Sequence, residues 1–390
     1  MAIRDLKGYF EKNGLYDQAR LEAHCAENSV RLGRSARWPH LGILHYLDAA
    51  VYDKAWTEFT LSCRGLVVDF QNRKLLAVPF FKFFNLGEKM APSFEALKAL
   101  GSFEATEKLD GSLGIAFYDQ VSGQARVTTR GSLDSEHGQW ATARLPERLK
   151  DPRLLTEYTL MFELIAACFQ IVVDYKAKGY PEGLYLIGIR ENATQRLLSR
   201  DEVRRFAADY GVPSCKAYPF ASLDAALEKT KSLPWSEEGF VLRFDSSEEV
   251  MVKVKSPEYL RVHRFLSNLD EKSLLEILAA GQERRVLEEL AIIPEEHRDE
   301  VTSTFKKFQG QAERFLADCQ EHFKRAPKTD RKTFALWAQK DAPSEFRPFL
   351  FKLMDGKPPT AQDVYLHFYR QKRYAAPEAP GFRKPQADAG

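Results

Sequence analysis

Lys108-Leu109-Asp110-Gly111 sets an amine, a carboxylate and a turn dipeptide within four residues. Asp-Gly is the favoured turn of a two-residue hairpin, and on that reading a lysine before it is ordinary. Residue frequencies give such a string by chance in roughly one chain in ten of this length. The chemical reading makes Lys108 a nucleophile toward the α-phosphorus of a nucleotide. A free lysine amine has a pKa of about 10.4 and is protonated near neutrality. It attacks only where desolvation or neighbouring cations lower that value. Such a site needs further cations, which also neutralise phosphates, and carboxylates to hold a divalent ion and position the ribose.

Candidates for those roles stand elsewhere in the chain. In Met251-Val252-Lys253-Val254-Lys255 the strand period of two sets both lysines on one face. Two ammonium groups side by side call for an anion between them; the alternative is an edge strand guarded by lysines. Glu237-Glu238-Gly239 precedes that strand and could carry a carboxylate to the mouth of the same sheet, although paired glutamates there are commonly solvated. Glu163 interrupts the apolar run from Leu160 to Ile165. It is either the exposed residue of an amphipathic strand or buried and paired, because burial without a partner is costly. Arg64 stands just before an apolar strand, and Lys82 sits among Phe80, Phe81, Phe83 and Phe84. Lys82 either snorkels from an aromatic core or projects into a phosphate site.

The elements that must position these groups change character along the chain. The first 40 residues read as mostly helical, with a turn at Trp38-Pro39. Short β-rich runs follow at 65–70, 113–118, 124–129, 159–162, 183–189, 239–244 and 250–254, with a helix at 200–210 capped by Ser199. Strands and helices do not alternate strictly, which favours antiparallel α+β over a doubly wound sheet. After Pro257 the strand signal ends. Asp270 suits the N-cap of a helix that Gly281 would end, and Pro294 the first position of a longer one. Val301, Phe305, Phe308, Ala312, Phe315, Cys319 and Phe323 recur at three- and four-residue steps there, a single apolar stripe. Further helix is expected at 332–339 and 363–370. The chain thus divides into an α+β part, 1–256, an all-helical part, 257–372, and a loose Pro/Ala/Gly-rich tail, 373–390.

Bulk properties narrow the class. No apolar run approaches the roughly 20 residues of a membrane span, and the N-terminus lacks a secretory pattern. Five scattered cysteines without paired metal spacing fit reduced thiols, so a cytoplasmic protein is expected. A net charge of +2 does not itself argue for nucleic acid, which would need a local patch or groove.

In their order, Lys108 to Gly111, Phe162-Glu163, Glu238-Gly239 and Lys253-Val254-Lys255 resemble motifs I, III, IV and V of the covalent nucleotidyltransferases. The finer strings are similar to the RNA ligase 1 family of the T-even bacteriophages: Cys63-Arg64-Gly65, Lys82 to Leu86, Gly131-Ser132, Ile171-Val172-Val173 with Tyr175, Arg190-Glu191-Asn192, and Asp330 to Thr333. The likeness runs from about Leu41 to Gln371. It implies an antiparallel-sheet adenylyltransferase domain followed by a helical RNA-specificity domain, and an ATP-dependent RNA ligase that uses Mg2+ or Mn2+. Lys108 would form lysyl-AMP. Tyr46, Arg64, Lys82, Asp110, Gly111, Glu163, Lys253 and Lys255 would bind the nucleotide. Asp110, Glu163 and Glu238, with Glu283 as a further candidate, would position the metal, and Arg130 and Tyr259 would support the substrate. Arg130 replaces an expected lysine, which keeps charge but changes donor geometry. Residues 164–170 have a sequence of their own. The partner implied is RNA with 5′-phosphate and 3′-hydroxyl ends, nicked tRNA being one such substrate, acted on by a monomer in RNA repair. A DNA ligase or capping guanylyltransferase would carry a C-terminal β-barrel instead of helices. A non-catalytic RNA-binding protein on the same fold would be favoured by loss of Lys108 or of either lysine of the 251–255 strand, and all are present.

Overall fold

The computed structural model describes residues 2–52, 55–169, 171–246, 249–267, 270–290 and 295–373. They separate after Arg261 into two compact units. The expected antiparallel α+β character belongs to the first. Its strands in chain order are β1 (Val30–Gly33), β2 (Leu41–Tyr46), β3 (Arg64–Asp69), β4 (Lys74–Ala77), β5 (Phe84–Asn85), β6 (Phe103–Glu107), β7 (Ser112–Asp119), β8 (Gln124–Thr129), β9 (Tyr158–Ile165), β10 (Gly183–Glu191), β11 (Gly239–Phe244) and β12 (Met251–Lys255). They form sheets of order β1-β2-β3-β4, β10-β9-β7-β8 and β5-β12-β11-β6. Every pairing of these strands is antiparallel except the short parallel one between β12 and β5.

The N-terminal expectation needs correction. Helices Leu6–Asn13 and Gln18–Glu27 form, capped by Asp5 and Asp17, but β1 follows at Val30. Four residues are too short to display a period. Their conformation comes from pairing with β2, where Val30 lies opposite Tyr46. The helices then bury Leu6, Phe10 and Leu21 against Leu44, Leu66 and Val68 of the first sheet.

The other two sheets each cover one face in the same way. Phe162, Leu164, Leu184 and Leu186 face the helix that Ser199 caps, Arg200–Tyr210. Phe240, Leu242, Val252 and Val254 bury against Leu223 and Ala226 of a helix at Leu223–Lys231. Full burial of each such side chain contributes about 1.5–3 kcal/mol. Alternation along each strand sends the intervening residues the other way. Met161 and Met251, from different sheets, accordingly share a small cluster with Phe80, flanked by Leu113, Ile187 and Val241. Glu163 of β9 and Lys253 and Lys255 of β12 share the parity of these two methionines.

The second unit is helical throughout its described residues, with Glu271–Ala279, Glu283–Leu290, Glu295–Arg325, Arg331–Lys340, Arg347–Met354 and Ala361–Arg370. Asp270 caps the first of these by accepting from Ser273 N at 2.7 Å, and Gly281 follows it with φ +74°. The stripe from Val301 to Cys319 is buried, and the Phe315 ring lies 4.8–5.6 Å from those of Phe346, Phe349 and Phe368. Pro294 and the tail beyond Arg373 lie outside the described residues. Among the described residues no helix is long and apolar enough to cross a membrane.

Candidate active site

Lys108 follows β6 directly, and its backbone N–H donates to Gly239 O at 2.8 Å, fixing it against the start of β11. Its Nζ donates to Glu238 Oε2 at 2.7 Å, while Lys255 Nζ lies 3.0 Å from Oε1 of the same carboxylate. Glu238 is 3% exposed, so the solvated reading does not hold. A buried carboxylate costs several kcal/mol unless it is paired, and here an ammonium group meets each oxygen. Gly239 makes this close approach possible. At φ +140° a Cβ on it would stand 2.0 Å from Val254 O.

Asp110 takes a different place from the one expected. Its carboxylate is buried and accepts from Val172 N at 2.9 Å, Val173 N at 3.0 Å and Tyr259 Oη at 2.7 Å, and its own N–H donates to the Tyr175 hydroxyl. Three protein donors hold it as a tie between the lysine loop, the 171–175 segment and the helix Pro257–Ser267. Burial and the neighbouring Glu238 push its carboxyl up to about 6, against the pull of Tyr259, Val173 and Lys108. Because the folded pKa exceeds the unfolded one, the stability it contributes is present at low pH and is lost as pH rises through about 6. Tyr259→Phe removes a donor to the ionised form. That window should move upward, and urea stability at pH 7.5 should fall by about 1–3 kcal/mol, as urea midpoints from pH 5 to 8 would show.

Glu163 is the partly buried and paired residue of its two readings. It lies on interior strand β9 opposite Leu113 and Tyr185, and its Oε1 accepts from Gly111 N at 3.0 Å. Gly111 is required here, since a Cβ would meet Leu164 O at 2.5 Å. Gly111→Ala should cost about 1–3 kcal/mol by overpacking, read as a lower urea midpoint.

The cations gather around aromatic rings. β12 is interior to its sheet and Lys253 is only 7% exposed, so the guarded-edge reading fails. Lys253 Nζ lies 5.0 Å from the Phe83 ring centroid, and the Arg64 guanidinium 5.6 Å from the same ring. Lys82 does not snorkel to water. It is 7% exposed, with Nζ 5.1–5.4 Å from the rings of Phe84, Tyr46 and Trp56. Burial lowers its pKa and the Arg64 charge adds to this, while Tyr46 opposes it. Arg130 donates to the Tyr46 hydroxyl at 3.2 Å. Beside it, burial and the charges of Arg130 and Arg31 push His45 down to about 4, so its imidazole is neutral near pH 7. Cation–π contacts hold such charges without cancelling them, and the result suits a polyanion.

Asp110, Glu163 and Glu238, three of the four acids expected at a metal, do not assemble into a ligand set. Among the described residues no three acids, histidines or cysteines converge to hold an ion. Glu283 belongs to the helical unit, where its Oε1 accepts from Gln309 Nε2 at 2.9 Å. Mg2+ nevertheless commonly binds through one or two carboxylates plus phosphates and water. Glu163 and Glu238 are the candidates for that lesser demand, Glu238 by exchanging one of its two ammonium partners for the ion. Trp56 carries no signal of its own in the sequence, and within the Ile171-Val172-Val173 string nothing marks the two valine amides as donors to Asp110. A lone tryptophan and a backbone N–H are recognisable only once the fold brings them to Lys82 and Asp110.

A family model described as RNA ligase matches residues 62–259, just over half of the chain, and spans Arg64 through Tyr259. A putative RNA ligase of Thermovibrio ammonificans is 31% identical over 226 residues, covering 55% of this chain and 57% of its own. RNA ligase 1 of bacteriophage TS2126 is 31% identical over 140 residues, a third of each chain. A solved archaeal ATP-dependent RNA ligase aligns at 16% identity and a TM-score of 0.47, over 79% of this chain and 81% of its own. The chain spans between a third and three fifths of the length of the first curated relatives it matches. With over half its residues matched, this chain belongs to the RNA ligase family.

Proposed function

We propose that the protein is an ATP-dependent RNA ligase working through lysyl-AMP on Lys108. The observation that carries this is the Lys108–Glu238–Lys255 arrangement. A partly buried amine shares one buried carboxylate with a second, partly buried ammonium group, with Lys253, Lys82, Arg64 and Arg130 on other strands and turns of the same unit. In the first step Lys108 Nζ, having lost its proton, forms a bond to the α-phosphorus of ATP as the bond to pyrophosphate breaks. Arg64 and Lys82 suit the departing pyrophosphate, and Lys253 and Lys255 the α-phosphate. AMP then passes to an RNA 5′-phosphate, and an RNA 3′-hydroxyl displaces it as the strands join. Positioning and charge neutralisation supply most of such catalysis. A divalent ion, Mg2+ or Mn2+, held through Glu238 and Glu163, would neutralise phosphate charge. Glu163 would also contact the ribose.

On this reading residues 1–256 are the adenylyltransferase domain and the helical part, 257–372, selects RNA, with nicked tRNA as one substrate of the right chemistry and RNA repair as the setting. A monomer in the cytoplasm is proposed with it. Incubation with α-labelled ATP and a divalent metal should leave a covalent label on the protein, and excess GTP should not compete. Circularisation of a 5′-phosphorylated single-stranded RNA then tests the acceptor. An unlabelled protein would sink the chemistry; competition by GTP would point to a capping enzyme.

A further inference from the structure

A cavity of about 320 Å³ opens beside Asp110, on the side of β9 where the chain leaves the sheet. Its walls are Leu164, Ile165 and Val173 with the rings of Phe169, Tyr175 and Tyr180, and Lys176 stands exposed at its rim. Of the residues assigned to ATP, only Asp110 lines it, and that carboxylate is held by three protein donors. Arg64, Lys82, Glu163, Lys253 and Lys255 do not, so the donor nucleotide has no evident use for it.

The walls are built. Phe169 lies on His137 with centroids 3.7 Å apart at 26°, and His137 Nδ1 in turn pairs with Ser112 Oγ at 2.8 Å. Tyr180 packs against Tyr175 at 5.5 Å and gives its hydroxyl proton to Glu107 Oε2 at 2.9 Å. Glu182 fixes the turn at the mouth by accepting from Ala167 N at 2.8 Å. Flat aromatic and aliphatic walls with a cation at the rim suit a nucleobase, which stacks whatever its identity while its phosphate meets the lysine. The cavity begins two residues from Lys108, where an RNA end must arrive.

We infer that this cavity receives the terminal base of the single-stranded RNA being joined, a site separate from the ATP site. The inference rests on the ligase reading. It is tested with 5′-phosphorylated RNA octamers carrying 2-aminopurine at either the 3′ or the 5′ terminus, bound to the full-length Lys108→Ala protein so that no turnover occurs. Stacking should quench one terminal label, and which label responds assigns the acceptor or the donor end. Ala167→Leu fills the cavity from an exposed position. It should abolish the quenching and, in the protein with Lys108 intact, raise the KM for RNA about 5- to 150-fold, the range of one lost base stack. Labelling by ATP should be unchanged. Quenching that survives Ala167→Leu, or ATP labelling that weakens along with RNA joining, overturns the inference. If the parent protein takes no label from ATP, the ligase reading fails by itself, and the quenching still decides the base site.

Discussion

Lys108→Ala should lose the covalent nucleotide entirely, by more than about a thousandfold against the parent, while the protein stays folded. The second half of that expectation comes from the charges. Lys108, Glu238 and Lys255 form an alternating row of two cations and one anion. Removing Lys108 leaves Glu238 on Lys255 at 3.0 Å, a neutral pair and no orphan. The remaining loss is that of three stem methylenes, about 2 kcal/mol at most on the scale of a buried methylene. Lys108→Arg sharpens the test. A guanidinium can stay with Glu238 but is always protonated and makes no phosphoramidate. Both variants should therefore show no label and stay folded, the alanine one with a urea midpoint lowered by no more than that loss. A labelled Lys108→Ala protein would move the nucleophile elsewhere, and an unfolded one would make Lys108 a structural lysine.

Legibility in the sequence followed the reach of the physics. Period-two alternation is local, so Lys253 and Lys255 could be set on one face of β12 without a structure. Whether that strand was an edge or an interior one depended on β5, which lies far back in the chain and pairs on the side that the adjacent β11 leaves open. Glu163 was conspicuous because a charge in an apolar run is costly, yet its partner, Gly111 N, is 52 residues distant. Asp110 shows the opposite limit. Its motif suggested a metal, and the three donors that occupy it come from segments 62 to 149 residues away. The aromatic setting of Lys82 was half legible. Phe84 is near it in sequence, whereas Trp56 and Tyr46 arrive through the fold.

Glu238→Ala should behave in the reverse way to Lys108→Ala and be the more damaging to the fold. The carboxylate accepts from one ammonium on each oxygen while itself 3% exposed, so its loss leaves two cations, 14% and 10% exposed, facing each other. Breaking a buried pair in this way costs about 3–5 kcal/mol. Repulsion between the two lysines should lower the folded-state pKa of one of them below its unfolded value. The unfolded chain then binds more protons over that interval, so the variant should regain stability as pH rises toward the lysine range. Urea titrations at pH 7 and pH 9 in the absence of nucleotide would measure both effects. Glu238→Gln separates charge from shape. It keeps an acceptor for one lysine, so it should lose less stability than alanine while still failing to label with ATP. If Glu238→Ala were as stable as the parent at pH 7, the carboxylate would not be what holds Lys108 and Lys255 together.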